Sequence, residues 1–198
     1  MKEFRFSGEE IKEILIALAV LVFIFTLHDI VARPPGILQA LFVSFFGVGI
    51  GFLGHELAHK YMANRFGYFA EFRLWKEGIL MALLFAVASG GTFFFAAPGA
   101  VVFAGTMFNR PTKAKVGQIG LAGPVFNLAV VAVFFSLYLA TGSGLFRSAG
   151  IINTWLALFN LIPIHPLDGG KVFAWSKVYW ALTVAAGALA FLLLLWRL

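Results

Sequence analysis

The chain of 198 residues contains no cysteine and carries little charge. The absence of cysteine excludes disulfide bonds, thiol catalysis and cysteine-ligated metals, so histidine and carboxylate remain as the strong ligands for zinc. Charged residues make up 12% of the chain, against about 25% in an average soluble domain. An ionisable side chain inside an apolar segment is therefore a candidate functional residue.

Apolar residues dominate the composition, at 61% of the chain with a mean hydropathy of +0.93. This composition predicts an integral membrane protein. Because a span needs about 20 residues, the chain has room for five or six spans in a single transmembrane domain, residues 1–198. The net charge of +6 does not indicate a nucleic-acid partner, since the basic residues are scattered between apolar segments, as expected in a lipid bilayer.

Six apolar runs set the predicted topology. They cover approximately residues 11–31, 37–62, 79–105, 116–140, 150–164 and 178–196. The first run resembles a secretory signal, but no small-x-small cleavage site follows it, which favours a retained span. The third run is ambiguous, because Gly90-Gly91 interrupts it and Pro98-Gly99 follows soon after. It either crosses the membrane once or forms a re-entrant hairpin.

The distribution of lysine and arginine decides between these two topologies. If the third run returns to its starting side, 12 of the 15 basic residues lie on one side of the membrane and only Arg33, Arg147 and Arg197 lie on the other. A single crossing would place 9 basic residues on one side and 6 on the other. The positive-inside rule favours re-entry, with the N-terminus in the cytoplasm. The predicted fold class is an all-α polytopic protein of the cell membrane, with about five full spans plus a re-entrant hairpin, or six spans.

A small β element is predicted between the second and fourth runs. Residues 68–76 alternate, with Glu71 and Arg73 on one face and Phe72 and Leu74 on the other, which is typical of a strand. A second candidate strand is Ala100 to Phe103, so a two-stranded element would lie near the cytoplasmic mouth of the protein. The alternative is an irregular interfacial loop, because an isolated two-stranded ribbon is only marginally stable.

A H-E-x-x-H motif lies inside the second apolar run, at His55-Glu56-Leu57-Ala58-His59. Two histidines four residues apart share one helix face, so both imidazoles can bind one Zn²⁺ while Glu56 reaches a water on the metal. Three ionisable residues so close together at membrane depth, each costing at least about 2.5 kcal/mol on insertion scales, need a compensating role. The motif therefore predicts hydrolytic zinc chemistry.

A catalytic zinc site needs a third protein ligand and an open position for water. Most acidic residues, including Glu10 and Glu71, lie at termini, span ends or loops. Only Glu56 and Asp168 remain as candidates within the apolar segments. Asp168 follows two prolines and precedes two glycines, a composition that breaks a span and lets irregular backbone face a cavity. The alternative is a cytoplasmic turn, since Asp-Gly is a common turn pair.

These motifs together resemble the site-two protease family of intramembrane zinc metalloproteases, peptidase family M50. The resemblance rests on His55 to His59, on the Gly-Pro-x-x-Asn pattern of Gly123-Pro124-Val125-Phe126-Asn127, and on Asn160, Pro163 and Pro166-Leu167-Asp168-Gly169. It covers about Gly51 to Lys171, inside a catalytic core of about residues 37–171.

The resemblance implies a role for each matching residue. His55, His59 and Asp168 would ligate one Zn²⁺ per chain, and Glu56 would be the general base and later the proton donor. Asn160 would contact the substrate carbonyl or oxyanion. Asn127 would have a structural role, orienting backbone or packing spans.

His165 departs from the family pattern, where an apolar residue or proline is expected, and it is an interfacial residue, a gate residue, a partner of the ligands or an alternative ligand. The sequence Gly49 to Gly54 matches the dinucleotide fingerprint G-x-G-x-x-G, but it lies in an apolar helix without a βαβ context. We therefore predict no nucleotide cofactor site there; close helix packing through Gly47 and Gly51 explains the glycines.

The resemblance implies regulated intramembrane proteolysis. The substrate would be the transmembrane segment of a membrane-anchored protein, cut at an active site towards the cytoplasmic side. The segment of residues 68–76 could hold the unwound substrate by strand addition. A membrane zinc or ion transporter, or a noncatalytic scaffold, could use the same ligands, but a transporter would not need Glu56 as a base.

Overall fold

The computed structural model describes residues 4–32, 37–91 and 97–196, and within these ranges the protein is mostly helical with one two-stranded sheet. The elements in chain order are α1 (Gly8–Ala32), α2 (Ile37–Arg65), β1 (Phe69–Leu74), α3 (Lys76–Ala88), β2 (Gly99–Ala104), α4 (Lys113–Thr141), α5 (Gly144–Asn160), α6 (Asp168–Trp175) and α7 (Lys177–Trp196). Arg33, Arg197 and part of the third apolar run lie outside the described residues.

Three of the described helices are long and apolar enough to cross a membrane. They are Ala40–Arg65 within α2, Lys113–Thr141 as α4 and Lys177–Trp196 as α7. At 1.5 Å per residue, the 29 residues of α4 extend about 44 Å, longer than the roughly 30 Å hydrocarbon core of a bilayer. These helices support a membrane protein, while the total of five or six spans stays a prediction.

The fifth apolar run also differs from its helix. α5 begins six residues earlier than expected, at Gly144, and ends at Asn160 rather than at residue 164. The early end is explained by Pro163, because the residue before a proline is biased away from helical backbone angles. The chain from Leu161 to Leu167 is irregular, and Asp168 opens the short helix α6, which the sequence did not predict.

The predicted β element is confirmed, and both strands have nearly the expected bounds. β1 and β2 pair antiparallel, from Phe69 opposite Ala104 to Leu74 opposite Gly99. Glu71 and Arg73 share a face as expected, and the Arg73 Nη2 donates to Glu71 Oε2 at 2.6 Å. Glu71 is nevertheless buried. Its carboxylate also accepts a hydrogen bond from Ser7 Oγ, which provides a partner for the buried charge.

The segment between the two strands returns to the place where it left the sheet. The backbone N–H of Trp75 donates to the carbonyl of Pro98 at 2.8 Å, directly beyond the Leu74–Gly99 pair. The helix that leaves the sheet, α3, has 13 residues and extends only about 20 Å, too short for the roughly 30 Å core of a bilayer. This hairpin course supports re-entry over a single crossing.

Two glycines end α3. Gly90 and Gly91 have φ angles of 61° and 80°, in the left-handed region that favours glycine. The N–H of Gly91 reaches back to the carbonyl of Ala86 at 2.7 Å and satisfies one of the free carbonyls of the last turn. The pair therefore turns the chain away from the α3 axis.

Small residues let α2 and α5 approach closely. A β-carbon on Gly47 would lie 3.3 Å from the Ala149 Cα, and one on Gly51 would meet the Asn153 side chain at its Oδ1. Gly47 and Gly51 thus belong to a helix–helix interface, as expected, whereas a β-carbon on Gly49 of the dinucleotide fingerprint would meet nothing within 4 Å.

A buried ion pair joins α1 to α2. Lys60 Nζ donates to both carboxylate oxygens of Glu10, at 2.7 and 2.5 Å, and the two residues are 2% and 1% exposed. Glu10 Oε1 also accepts from the N–H of Phe72 at 2.9 Å, so the pair holds β1 as well. Glu10 lies at the start of α1, as a residue at a span end, but its burial was not predicted, because its partners lie far along the chain and no local pattern marks them.

We expect Glu10→Gln to destabilise the protein strongly, because it leaves the Lys60 ammonium buried without a carboxylate. Removing one partner of a buried pair costs about 3–5 kcal/mol. Thermal unfolding in detergent measures the effect. The matched control is Glu9→Gln, one residue away and exposed, which should unfold like the wild type. Equal stability of the two variants would show that the pair is unimportant.

Candidate active site

The structure brings together three residues of the predicted ligand set. His55, His59 and Asp168 are buried, and each offers a ligand atom within 4.8 Å of the others. Asp168 Oδ2 lies 3.1 Å from His55 Nε2 and 2.9 Å from His59 Nε2. Within the described ranges this is the group of His, Asp and Glu that could hold a metal ion.

The positions follow from the elements that carry them. The two histidines are one helical turn apart on α2, so their rings are adjacent, with centroids 4.6 Å apart. Asp168 arrives from the other side as the first residue of α6. A β-carbon on Gly169 would collide with the carbonyl of Leu161, so the glycine lets α6 fold back tightly against the end of α5.

Lys171 holds the second oxygen of the Asp168 carboxylate. Its Nζ donates to Asp168 Oδ1 at 2.9 Å, one helical turn away, which leaves Oδ2 for the histidines. Burial raises the pKa of the Asp168 carboxyl, but the neighbouring His59, Lys171 and His55 outweigh it, so the pKa lies well below its usual range. The carboxylate is therefore ionised, as a metal ligand must be.

Each imidazole is also held on the side away from Asp168. His55 Nδ1 lies 2.6 Å from Asn127 Oδ1, and His59 Nδ1 lies 2.7 Å from the carbonyl of Ile119. A ring that donates through Nδ1 presents the lone pair of Nε2, so both Nε2 atoms are suited to a metal.

The donor set fits zinc. Zinc takes nitrogen and oxygen ligands at about 2.0–2.2 Å in a tetrahedron, which separates neighbouring donors by roughly 3.3–3.6 Å. The two distances from Asp168 Oδ2 to the Nε2 atoms, 3.1 and 2.9 Å, are within a few tenths of an ångström of this range. Three protein donors also leave one position for water, as in catalytic zinc sites.

Gly123 on α4 leaves the space in which these donors meet. A β-carbon there would lie 2.5 Å from the Nε2 atoms of both His55 and His59. The glycine of the Gly-Pro-x-x-Asn pattern thus allows α4 to pack directly on the imidazoles.

Glu56 lies beside the ligands and against the sheet. Its Oε2 accepts from the N–H of Val101 in β2 at 3.2 Å, and the residue is 9% exposed. It lines a cavity of about 480 Å³ together with the three ligand residues, and Gly99, Ala100, Val101 and Val102 of β2 form one wall. Glu56, the general base expected from the sequence, therefore lies where it borders an accessible cavity, and its role stays a prediction.

The expectation that residues 68–76 offer a free strand edge is wrong at two positions. The outward N–H groups of Phe72 and Leu74 donate to the carboxylates of Glu10 and Glu13, at 2.9 and 3.1 Å. The helix α1 therefore covers the outer edge of β1. Four residues of the neighbouring strand β2 line the cavity.

Asn160 and His165 both line the cavity but stand apart from the metal-binding group. Asn160 Nδ2 donates to the carbonyl of Leu156 at 3.0 Å, a bond that does not use its Oδ1. His165 is exposed at the rim and is not part of the group that could hold a metal. Of the readings for His165, the structure favours an interfacial or gate residue.

Comparison with known proteins gives the family. The chain is 38% identical over 187 residues to the candidate zinc metalloprotease MJ0611 of Methanocaldococcus jannaschii, covering 92% of both chains. It is 33% identical over 148 residues to the candidate zinc metalloprotease YwhC of Bacillus subtilis, covering 62% of this chain and 64% of that one. The chain belongs to this family of zinc metalloproteases.

A partial match extends the comparison within this metalloprotease family. Zinc metalloprotease MJ0392 of Methanocaldococcus jannaschii is 29% identical over 124 residues, which are 60% of this chain and 29% of that protein. No family model matches the chain, and no solved structure matches it significantly. Membership in the family supports a zinc metalloprotease, and the donor set described above provides a place for the zinc.

Sequence reasoning missed three residues of the metalloprotease site. Lys171 and Val101 contact the Asp168 and Glu56 carboxylates, and Asn153 contacts Asn127. Lys171 follows Asp168 by one helical turn. That spacing would have indicated the contact if the helix α6 had been predicted. No sequence pattern marks Val101 or Asn153, because each meets its partner through the fold.

We expect Gly123→Ala to weaken zinc binding by at least about tenfold, because the added methyl group meets both imidazoles. Chelator competition on the purified protein measures the affinity. Gly49→Ala is the matched control, since a β-carbon on Gly49 meets nothing within 4 Å. Equal zinc affinities of the two variants would contradict the placement of α4 against the histidines.

Proposed function

We propose that the protein is an intramembrane zinc metalloprotease of the site-two type, which cleaves peptide bonds in or near transmembrane segments of membrane-anchored substrates. Residues 1–198 would form one multi-pass transmembrane domain of the cell membrane, with a catalytic core of about residues 37–171. The observation that carries the proposal is the meeting of His55, His59 and Asp168 beside Glu56, at the wall of an accessible cavity.

The proposal assigns one zinc ion per chain to His55, His59 and Asp168. A bound zinc ion would supply a Lewis acid and lower the pKa of a bound water towards about 7. The protein prepares this site in three ways: it directs both Nε2 atoms inward, keeps Asp168 ionised through Lys171, and leaves space at Gly123.

Glu56 is the proposed general base. The N–H of Val101 holds its Oε2, which fixes the carboxylate beside the ligands and leaves Oε1 as the second acceptor. A carboxylate in this position would accept the proton of the attacking water and return it to the amine that leaves the cleaved peptide bond. The main-chain contact means that the sheet orients the base.

The substrate would enter the cavity in an extended conformation. A transmembrane helix satisfies its own peptide groups, so a scissile bond has to be unwound and its freed N–H and C=O groups need new partners. The β2 residues Gly99 to Val102 line the cavity and could supply them by strand addition, in place of the covered edge of β1, through backbone groups other than the N–H of Val101, which donates to Glu56. The amide of Asn160, which also lines the cavity, could contact the substrate carbonyl.

We expect Glu56→Gln to keep zinc and fold but to lose cleavage by about 10²-fold to 10⁴-fold, because an amide cannot accept the proton of water. The measurement is zinc content together with cleavage of a panel of single-span substrates. The control is Glu77→Gln, which changes an exposed glutamate at the start of α3. Near-normal cleavage by Glu56→Gln would show that Glu56 is not the base. If the wild-type protein transports zinc but cleaves no substrate, a transporter is favoured instead.

Topology is tested by introduced cysteines, because the chain has none of its own. Re-entry predicts that Lys76→Cys and Lys113→Cys are shielded from an impermeant thiol reagent in intact cells and react after lysis. Thr141→Cys, at the other end of α4, should react in intact cells. The three positions are exposed, so access depends on membrane side. Opposite labelling of positions 76 and 113 would mean that the third apolar run crosses the membrane.

A further inference from the structure

A chain of buried polar side chains runs from the active site into the bundle. His55 Nδ1 lies 2.6 Å from Asn127 Oδ1, and Asn127 Nδ2 donates to Asn153 Oδ1 at 3.1 Å. The three residues come from α2, α4 and α5. Both asparagines are fully buried, with no exposed area. Buried amides without partners are costly, so the orientation of each one is determined by its neighbours.

The far end of this chain is fixed by main-chain carbonyls. Asn153 Nδ2 donates to the carbonyl of Gly47 at 3.0 Å and to the carbonyl of Ala149 at 2.9 Å. Carbonyl oxygens only accept hydrogen bonds, so the amino group of Asn153 has to face them. The Oδ1 of Asn153 consequently faces Asn127.

The orientation of Asn127 follows from that of Asn153. The two hydrogens on Asn127 Nδ2 are taken by Asn153 Oδ1 and by the carbonyl of Gly51, each at 3.1 Å. The Asn127 Oδ1, a pure acceptor, is thereby directed at His55. An imidazole nitrogen opposite an acceptor carries its hydrogen, so Nδ1 of His55 is protonated, and with zinc bound Nε2 would be the nitrogen that supplies a lone pair to the metal.

The second histidine shows why His55 needs this arrangement. His59 Nδ1 faces the carbonyl of Ile119, which cannot present a donor. His55 faces a side-chain amide, which would offer N–H instead of oxygen if it rotated by half a turn. Asn153 opposes that rotation, because an inverted Asn127 would set its oxygen against Asn153 Oδ1.

We propose that Asn153, acting through Asn127, is a positioning residue that fixes the tautomer and direction of His55 as a metal ligand. The proposal rests on the proposed zinc site and assigns a role to a residue that lies outside the H-E-x-x-H, Gly-Pro-x-x-Asn and Pro-Leu-Asp-Gly motifs. It differs from simple helix packing, since packing alone makes no demand on which end of Asn127 faces the imidazole.

The test compares one substitution in two backgrounds. Asn153→Leu has similar size and removes the amide, so only the carbonyl of Gly51 still orients Asn127 and inversion becomes easier. We expect the zinc affinity, measured by chelator competition, to fall about 10-fold to 100-fold, as is typical when the hydrogen-bond partner of a metal-ligating histidine is lost. In an Asn127→Asp background the residue facing His55 presents only oxygen in either orientation. There, adding Asn153→Leu should leave the zinc affinity unchanged or higher.

A purely structural Asn153 predicts a different pattern. Asn153→Leu would then lower the zinc affinity equally in both backgrounds, and that result would overturn the proposal, as would an unchanged affinity in the wild-type background. Thermal unfolding of each variant separates loss of stability from loss of zinc.

If the Asn153 variants fail to fold, nitrogen-15 NMR of the zinc-loaded wild-type protein, labelled at histidine, tests the proposal instead. It reports which ring nitrogen of His55 carries hydrogen. We expect His55 to carry hydrogen on Nδ1 and to bind zinc through Nε2; the reverse assignment would overturn the proposal. Wild-type protein that binds no zinc would overturn this proposal together with the zinc site. Protein that binds zinc and shows the two-background pattern but cleaves no substrate would contradict the proposed protease function alone.

Discussion

The structure depends on satisfying a carboxylate and two imidazoles inside an apolar helical bundle. An unpaired buried charge is expensive, so Asp168 is tolerated there only because its two oxygens have partners, Lys171 on one side and the two histidines on the other. That requirement explains the local architecture. α5 stops early, the chain turns, and α6 begins with the aspartate, so that the carboxylate meets α2.

The same constraint extends outward through the neighbouring elements. α4 supplies small residues against the imidazoles and acceptors for their Nδ1 atoms, and α5 fixes one of those acceptors through Asn153. On the other side the Glu10–Lys60 pair holds β1, which pairs with β2, and β2 donates to Glu56. The three candidate ligands and Glu56 are therefore held by separate polar contacts.

The features that sequence could predict are those with a local pattern. His55 and His59 are one helical turn apart, the strands alternate, and the apolar runs mark most of the helices. What could not be predicted depends on long-range contacts: the burial of Glu10 against Lys60, the covering of the β1 edge by α1, and the contact of Asn153 with Asn127. Each polar residue looks like an ordinary surface or packing residue until its partner is known.

The central claim is that two imidazoles and one carboxylate hold a single zinc ion with one position open. Zinc-edge X-ray absorption on the purified protein tests it most directly, because it reports the number and type of bound atoms. The account predicts two imidazole nitrogens and two oxygens, at about 2.0–2.2 Å, with one protein oxygen lost in Asp168→Ala. A third imidazole in the coordination shell, or a shell unaffected by Asp168→Ala, would contradict it.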